Sequence, residues 1–258
     1  MELSLSGKVA IVTGASGGIG SAIAQVLAEE GMKVVVNHHS SADQAKGLCN
    51  ALGSSAIPFA ADVGREDDVE AMVAFAESEF GGLDLMVHNA GITSRTSIVE
   101  TSFEDWQRVR RTNLDGAYYC ARFAARSMIA RKVKGSFIAI SSIHGKVAKA
   151  EMGAYCASKA GIDMLVRQLA AELAPYGIRS NAVAPGTIDT GMNPIYHATD
   201  PESIRRRNRL FDRIPLAGLA EPRTIGDAVA FLASDRSSYT TGEIFYVDGG
   251  YTADGTPR

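Results

Sequence analysis

The sequence lacks a long apolar run, a strong charge of either sign and any close pair of cysteines. With no stretch of about 18 apolar residues, no helix that spans a bilayer is expected, and no membrane partner. The net charge of −3 carries no broad positive field of the kind that holds nucleic acid or an anionic membrane. Three cysteines, Cys49, Cys120 and Cys156, stand far apart without a CxxC spacing, so neither a disulfide framework nor a metal site is expected. This usage fits a reducing cytosol and hence a cytoplasmic protein. The opening MELSLSGKVAIVTG has no basic region followed by a long apolar one, so no secretory leader is expected.

What is present is an alternation. Across 258 residues with no repeat or linker-like tract, apolar β-branched runs recur between helical patterns. A chain of this size buries roughly 70–75% of the surface its unfolded form exposes, so it needs no covalent staple. Strands are expected at Val9–Thr13, Lys33–Asn37, Leu83–Asn89, Ser136–Ser141, Arg179–Ala184 and Ile244–Val247, with a weaker run at Ala56–Ala61. Helices are expected at Ile19–Glu30, Glu66–Phe80, Phe103–Arg131 (kinked near Gly116), Tyr155–Pro175 and Pro222–Ser234. Strands that are apolar throughout are buried on both faces. The implied fold class is α/β: a doubly wound, seven-stranded, mainly parallel Rossmann-type sheet with helices on both faces. Residues 1–258 then form a single dinucleotide-binding catalytic domain.

Ligands of such sheets bind beyond the carboxyl ends of the strands. The first strand is followed by Thr13-Gly14-Ala15-Ser16-Gly17-Gly18-Ile19-Gly20. Its glycines permit a tight turn and close approach of a diphosphate, and the helix behind offers its N–H groups and positive dipole end. Gly14, Ser16, Gly18, Ile19 and Gly20 are therefore candidate cofactor contacts. After the second strand stand Asn37, His38 and His39, where NAD-selective folds use an acidic residue on the adenosine ribose. No acid repels a 2′-phosphate here and no Arg or Lys attracts one, which leans to NADP with NAD as the alternative. The two histidines read equally well as solvated loop residues. Asp62 and Val63 follow the third strand; Asp62 either meets the adenine edge or caps the helix beginning near Arg65. Asn89, Ala90 and Gly91 follow the fourth, Ser141 and Ser142 the fifth, and Pro185, Gly186, Thr187, Ile188, Asp189 and Thr190 the sixth.

Tyr155 and Lys159 are four residues apart at a helix start, which puts them on one face. A phenol with a pKa near 10 is a poor base at neutral pH. A lysine ammonium about 4 Å away, at an effective dielectric near 20, favours the phenolate by roughly 4 kcal/mol, or about three pKa units. The expectation is a phenol brought to near 7, where general acid–base catalysis is most effective. Such a pair is common on helices, and it gains meaning only beside the glycine loop and the serine-bearing strand end.

Together these elements resemble the short-chain dehydrogenase/reductase family in its compact single-domain form. The matching residues run from Thr13–Gly20 through Asp62-Val63, Asn89-Ala90-Gly91, Asn113, Ser142 and Tyr155-Cys156-Ala157-Ser158-Lys159 to Pro185-Gly186, in the family's order and over almost the whole chain. The resemblance implies roles. Tyr155 is the general acid/base. Lys159 holds the nicotinamide ribose and lowers the Tyr155 pKa. Ser142 hydrogen-bonds the reacting oxygen, and Asn113 holds a water linking Lys159 to solvent. Ile188 and Thr190 meet the carboxamide region. Ser141 competes with Ser142, but the thirteen-residue spacing to Tyr155 favours Ser142 and leaves Ser141 facing the sheet side. Cys156 and Trp106 read as packing residues. Family members usually pair through their long middle helices and often form tetramers, so a homotetramer is expected, and the alanine-rich Ala117–Ala130 is compatible with this.

The resemblance is nearest to glucose 1-dehydrogenases and related sugar and polyol dehydrogenases. It rests on Val34–Asn37 and the polar residues after it, Lys134-Gly135, Ser141-Ser142-Ile143-His144, and the tail past Asp248-Gly249-Gly250. His144 is a candidate contact to a sugar hydroxyl or a rim residue. Thr93 stands where glucose dehydrogenases carry an acid, which puts glucose itself in doubt while a sugar or polyol remains the expected substrate. The polar segment 191–219 would cover that substrate, with Arg205, Arg206, Arg207 and Arg209 on a solvated helix face and an anion contact as the minor reading. Two alternatives stand: a 3-oxoacyl-[acyl carrier protein] reductase, against which Ala170-Ala171-Glu172 counts, and an inactive cofactor-binding regulatory protein, against which the intact Ser142, Asn113, Tyr155 and Lys159 count.

Overall fold

A computed structural model describes residues 2–191 and 196–253; residues 192–195 of the expected covering segment lie outside the described residues. Seven parallel strands form one sheet: β1 (Val9–Val12), β2 (Lys33–His38), β3 (Ala56–Ala60), β4 (Leu85–His88), β5 (Ser136–Ile140), β6 (Arg179–Pro185) and β7 (Ile244–Val247). Their order is β3-β2-β1-β4-β5-β6-β7. The chain thus winds outward from β1 in one direction and, from β4 on, in the other. The switch falls between β1 and β4, and their carboxyl ends open the crevice where such folds bind ligands.

The all-apolar strands explain the two-sided burial. Every residue of β1, β4 and β5 is buried. Val9, Ile11, Val35 and Met86 pack into one core and Ala10, Val12, Val34 and Val87 into the other, as alternation across a pleat demands. Each large side chain so buried contributes roughly 1.5–3 kcal/mol.

The helices that cover the sheet are α1 (Gly18–Glu29), α2 (Ala42–Leu52), α3 (Glu66–Phe80), α4 (Phe103–Arg110), α5 (Gly116–Ala130), α6 (Gly153–Leu173), α7 (Pro201–Phe211) and α8 (Pro222–Ala233). The expected long helix from Phe103 to Arg131 is two helices, joined by a π-helical turn at Arg111–Asp115. The π-turn ends where Gly116 opens the second helix, the place at which a kink was expected. One helix, α2, was not anticipated, and α7 was expected only as a solvated helix face bearing Arg205, Arg206, Arg207 and Arg209, without bounds. On α2 only Ala45 and Cys49 are buried, which is too little apolar spacing to register as a helical face. On α7 no residue is buried, and the start is fixed by Asp200, which accepts from the Ser203 amide at 2.9 Å, with Pro201 behind it.

Candidate active site

A cavity of about 1040 Å³ lies across the carboxyl ends of the strands. Thr13 and Asn89 hold the switch point together. The Thr13 hydroxyl accepts from the Asn89 and Ala90 amides, each at 3.0 Å, and the Asn89 side-chain amide donates to the carbonyls of Thr13 (2.9 Å) and Gly14 (3.0 Å). This seats the glycine turn. Gly14 has φ +60°, and a Cβ on Gly20 would stand 2.4 Å from the Gly14 carbonyl oxygen and 2.5 Å from Asn89 Nδ2. The turn is a closed backbone cradle running into the N-terminus of α1, shaped to receive a diphosphate.

The cavity wall contains Gly14, Ser16, Gly18, Ile19, Gly20, Asn37, His39, Asp62, Val63, Asn89, Ala90, Gly91, Pro185, Gly186, Ile188 and Thr190, along with Thr93, Ser142, His144, Tyr155 and Lys159. His38 and Asn113 are not on that wall. His38 is buried away from it, with Nδ1 unpartnered. Asn37 reaches the wall, but its amide is occupied inside the protein. Its Oδ1 accepts from the Gly14 amide at 3.1 Å, and its Nδ2 donates to the carbonyls of Phe59 (3.3 Å) and Ala61 (3.2 Å). His39, Ser40 and Ser41 are left as the polar groups facing the cavity at this strand end, with no acid among them. Asp62 does not cap α3, whose N-cap residue is Arg65. Its carboxylate accepts from the Gly64 amide at 2.9 Å and pairs with Arg111 at 3.4 Å.

The Tyr155–Lys159 pair departs from the sequence-based expectation. Lys159 is buried and donates from Nζ to the Ile140 carbonyl at 2.7 Å. That Nζ sits 5.5 Å from the centre of the Tyr155 ring. Burial lowers the Lys159 pKa to about 8, with Asp163 working the other way. Burial likewise raises the Tyr155 phenol above its ordinary value, and the neighbouring Ser142 hydroxyl opposes this. In the protein alone the phenol is therefore not brought toward 7, because desolvation of the charged form outweighs the Ser142 hydrogen bond.

Ser141 and Ser142 both line the cavity but bond differently, and Ser141 turns to α6 rather than to the sheet side. The Ser141 hydroxyl donates to Asp163 Oδ1 on α6 at 2.5 Å. The Ser142 hydroxyl accepts from the His144 amide at 3.1 Å and stands beside Tyr155. His144 is half-buried, with Nδ1 against the Val147 carbonyl at 3.0 Å, and burial lowers its pKa.

Asn113 sits on the π-turn, fully buried. Its side chain accepts from the Ile92 amide (2.8 Å) and donates to the Ile92 carbonyl and to Ser158 Oγ (each 3.0 Å). Its carbonyl faces His88 Nε2 at 3.0 Å. His88 is itself buried with Nδ1 unpartnered, and burial together with the Lys159 charge lowers its pKa to about 3. It is neutral at physiological pH and donates Nε2–H to that carbonyl. Sequence reading missed His88 and Asp163. Asp163 had a signal: it lies four residues after Lys159 and continues the Tyr155–Lys159 face.

A family model described as Enoyl-(Acyl carrier protein) reductase matches residues 14–252. A solved short-chain type dehydrogenase/reductase from Mycobacterium marinum superposes with a TM-score of 0.88 at 34% identity, covering 98% of both chains. The chain belongs to the short-chain dehydrogenase/reductase family. Among curated relatives of this oxidoreductase, Glucose 1-dehydrogenase 2 of Bacillus subtilis (strain 168) is 39% identical over 256 residues, covering 98% of this chain and 97% of the relative. The 3-oxoacyl-[acyl-carrier-protein] reductase FabG of Staphylococcus aureus (strain Mu50) is 40% identical over 246 residues, covering 94% and 97%. The enzyme is thus an NAD(P)-dependent dehydrogenase/reductase acting on CH–OH groups. Relatives at equal identity act on different substrates, so family membership leaves the substrate open.

Proposed function

We propose that the enzyme interconverts a secondary alcohol and a carbonyl of a sugar or polyol, using NADP in preference to NAD. The observation that supports it most is the convergence of Ser142, Tyr155 and Lys159 on one wall of a cavity that also contains the glycine cradle. The cradle from Gly14 to Gly20 suits the cofactor diphosphate. His39, Ser40 and Ser41, with no acid beside them, suit an adenosine ribose that carries a phosphate. Asn89, Ala90 and Gly91 would flank the ribose, and Ile188 and Thr190 the carboxamide. When bound, the cofactor supplies the hydride chemistry and, oxidised, a positive charge that favours the phenolate.

The chain's own residues handle the proton. Tyr155 Oη passes a proton to the substrate oxygen in reduction and takes it in oxidation. The Ser142 hydroxyl orients that oxygen. Lys159, ordered by the Ile140 carbonyl and Asp163, binds the ribose and steadies the phenolate electrostatically. Asn113 keeps the π-turn closed over Ile92 and Ser158, which supports the helix carrying Tyr155 and holds the water that links Lys159 to solvent. His144 and Thr93 border the substrate. The whole chain would act as one catalytic domain, with 191–219 covering the substrate.

The reading extends to a cytoplasmic homotetramer. Its support is three free cysteines and the exposed Tyr118 on α5 and Met164 on α6. Among the described residues no helix is long and apolar enough to cross a membrane, and none form a group fit to hold a metal.

The test is turnover of sugars, polyols and ketones with each cofactor, followed at the nicotinamide absorbance. Sugar or polyol oxidation with a higher kcat/KM for NADP is the expected outcome. A hundredfold preference for NAD, about 2.7 kcal/mol, contradicts the cofactor assignment. Exclusive use of 3-oxoacyl thioesters contradicts the substrate assignment.

A further inference from the structure

The cavity wall carries positive charge that no carboxylate among the described residues pairs with. It includes two cations beyond the catalytic lysine that make no ion pair among the described residues: Lys149 and Arg213. The other two on the wall are satisfied, Arg108 by Asp105 at 2.8 Å and Arg111 by Asp62 at 3.4 Å. Asp62 is the one acid on the described wall, so no carboxylate there faces Lys149 or Arg213.

Both cations share this wall with the reacting groups. Lys149 lies on the loop that leads from Ser142 and His144 into Met152 and Tyr155, all of them on the same wall. Arg213 follows α7 and lies over the Tyr251 ring, its guanidinium carbon 4.9 Å from the centroid. That stacking fixes its head without neutralising it. Burial, and then the charges of Arg95, Arg206 on α7 and Arg213, push the Lys149 ammonium below its ordinary pKa. By contrast Arg207 on the same helix is tied to the Tyr196 carbonyl at 2.9 Å. Lys149 and Arg213 on one wall repel each other, and an anion placed between them relieves that repulsion.

We propose that Lys149 and Arg213 form an anion site for a carboxylate or phosphate carried by the substrate away from its reacting carbon. This rests on the sugar reading above and narrows it from neutral sugars to acidic or phosphorylated ones. It also gives the arginine-bearing helix α7 a part in substrate choice.

Calorimetric titration of the NADP-saturated enzyme with glucose, glucuronate and glucose 6-phosphate tests this without requiring turnover. At least one anionic ligand binds tenfold or more tightly than glucose, and its identity tells carboxylate from phosphate. The preference shrinks as salt is raised. In Lys149→Gln and Arg213→Gln the anion-to-neutral affinity ratio falls to within about threefold of unity. Equal affinity for the three ligands, binding of none of them, a ratio unchanged in both variants, or a loss confined to NADP affinity would each overturn the proposal. Because binding is read directly, an enzyme that oxidises no alcohol refutes the catalytic reading while leaving an observed anion preference intact.

Discussion

Burial sets the chemistry of single residues in this site. His88 shows it most simply: an imidazole whose pKa falls to about 3 inside the protein from 6.5 outside. Between those values the unfolded chain binds a proton that the folded one refuses, so stability rises with pH through this window and is lost as pH falls through it. The slope from this one group reaches about 1.4 kcal/mol per pH unit. Denaturant titrations of wild type and His88→Asn at pH 7, 6 and 5 should therefore show the gap between the two proteins closing, or reversing, as the pH drops. A gap independent of pH contradicts the buried neutral imidazole. Lys159 follows the same sign: its pKa of about 8 against 10.5 makes its burial most costly below pH 8. Tyr155, Lys159 and Ser142 could be singled out in the sequence only by combination: a four-residue spacing on one helix, a serine-bearing strand end and the glycine loop, with the family resemblance favouring Ser142 over Ser141. The direction of the Tyr155 shift was not legible there. It depends on how much protein packs over the phenol and on the Ile140 carbonyl that the lysine meets, and neither is a property of local sequence.

At the scale of elements, the cradle between β1 and α1 depends on one glycine more than its neighbours. A methyl on Gly20 would meet Gly14 and Asn89 backbone and side-chain atoms at 2.4–2.5 Å, whereas one on Gly17 meets nothing within 4 Å. Gly20→Ala should destabilise the fold by about 1–3 kcal/mol and weaken NADP binding by tenfold or more. Gly17→Ala should leave the melting temperature within a few degrees of wild type. Thermal melts and cofactor titrations check both, and equal behaviour of the two variants would refute the cradle as described. The strands and the helices α1, α3, α6 and α8 were legible because uninterrupted apolar runs and caps mark them. The break at Arg111–Asp115 was anticipated only as a kink, because a π-turn is set by the tertiary position of Asn113 rather than by a breaker residue. Helix α2 escaped notice because it buries little, so no apolar face announces it. Helix α7 was anticipated only as a solvated arginine-bearing face; the signal for its start was Asp200-Pro201, a cap and first-turn proline.

For the whole molecule, the topology places all of this chemistry at one edge. The outward winding from β1 and β4 leaves their carboxyl ends open, and every strand of the sheet is parallel, so the residues after β1, β2, β3, β4, β5 and β6 reach the same cavity. That convergence was foreseeable from strand–helix alternation alone. Assembly is a separate matter, because a single chain reveals only what it leaves uncovered. Tyr118 and Met164 are half-exposed or more on the two middle helices, and sedimentation at micromolar concentration should give a tetramer. Tyr118→Glu combined with Met164→Glu should lower that mass. A wild-type monomer would refute assembly through these helices.

The central claim is that Tyr155 moves the proton for an alcohol–carbonyl reaction. Steady-state turnover of wild type and Tyr155→Phe on the same substrate panel, with circular dichroism and melting to show both folded, tests it most directly. The account predicts that the wild type turns over at least one substrate and that Tyr155→Phe loses kcat by a factor of about 10²–10⁴ with its fold intact. Equal rates for the two proteins, or equal inertness on every substrate, would contradict it.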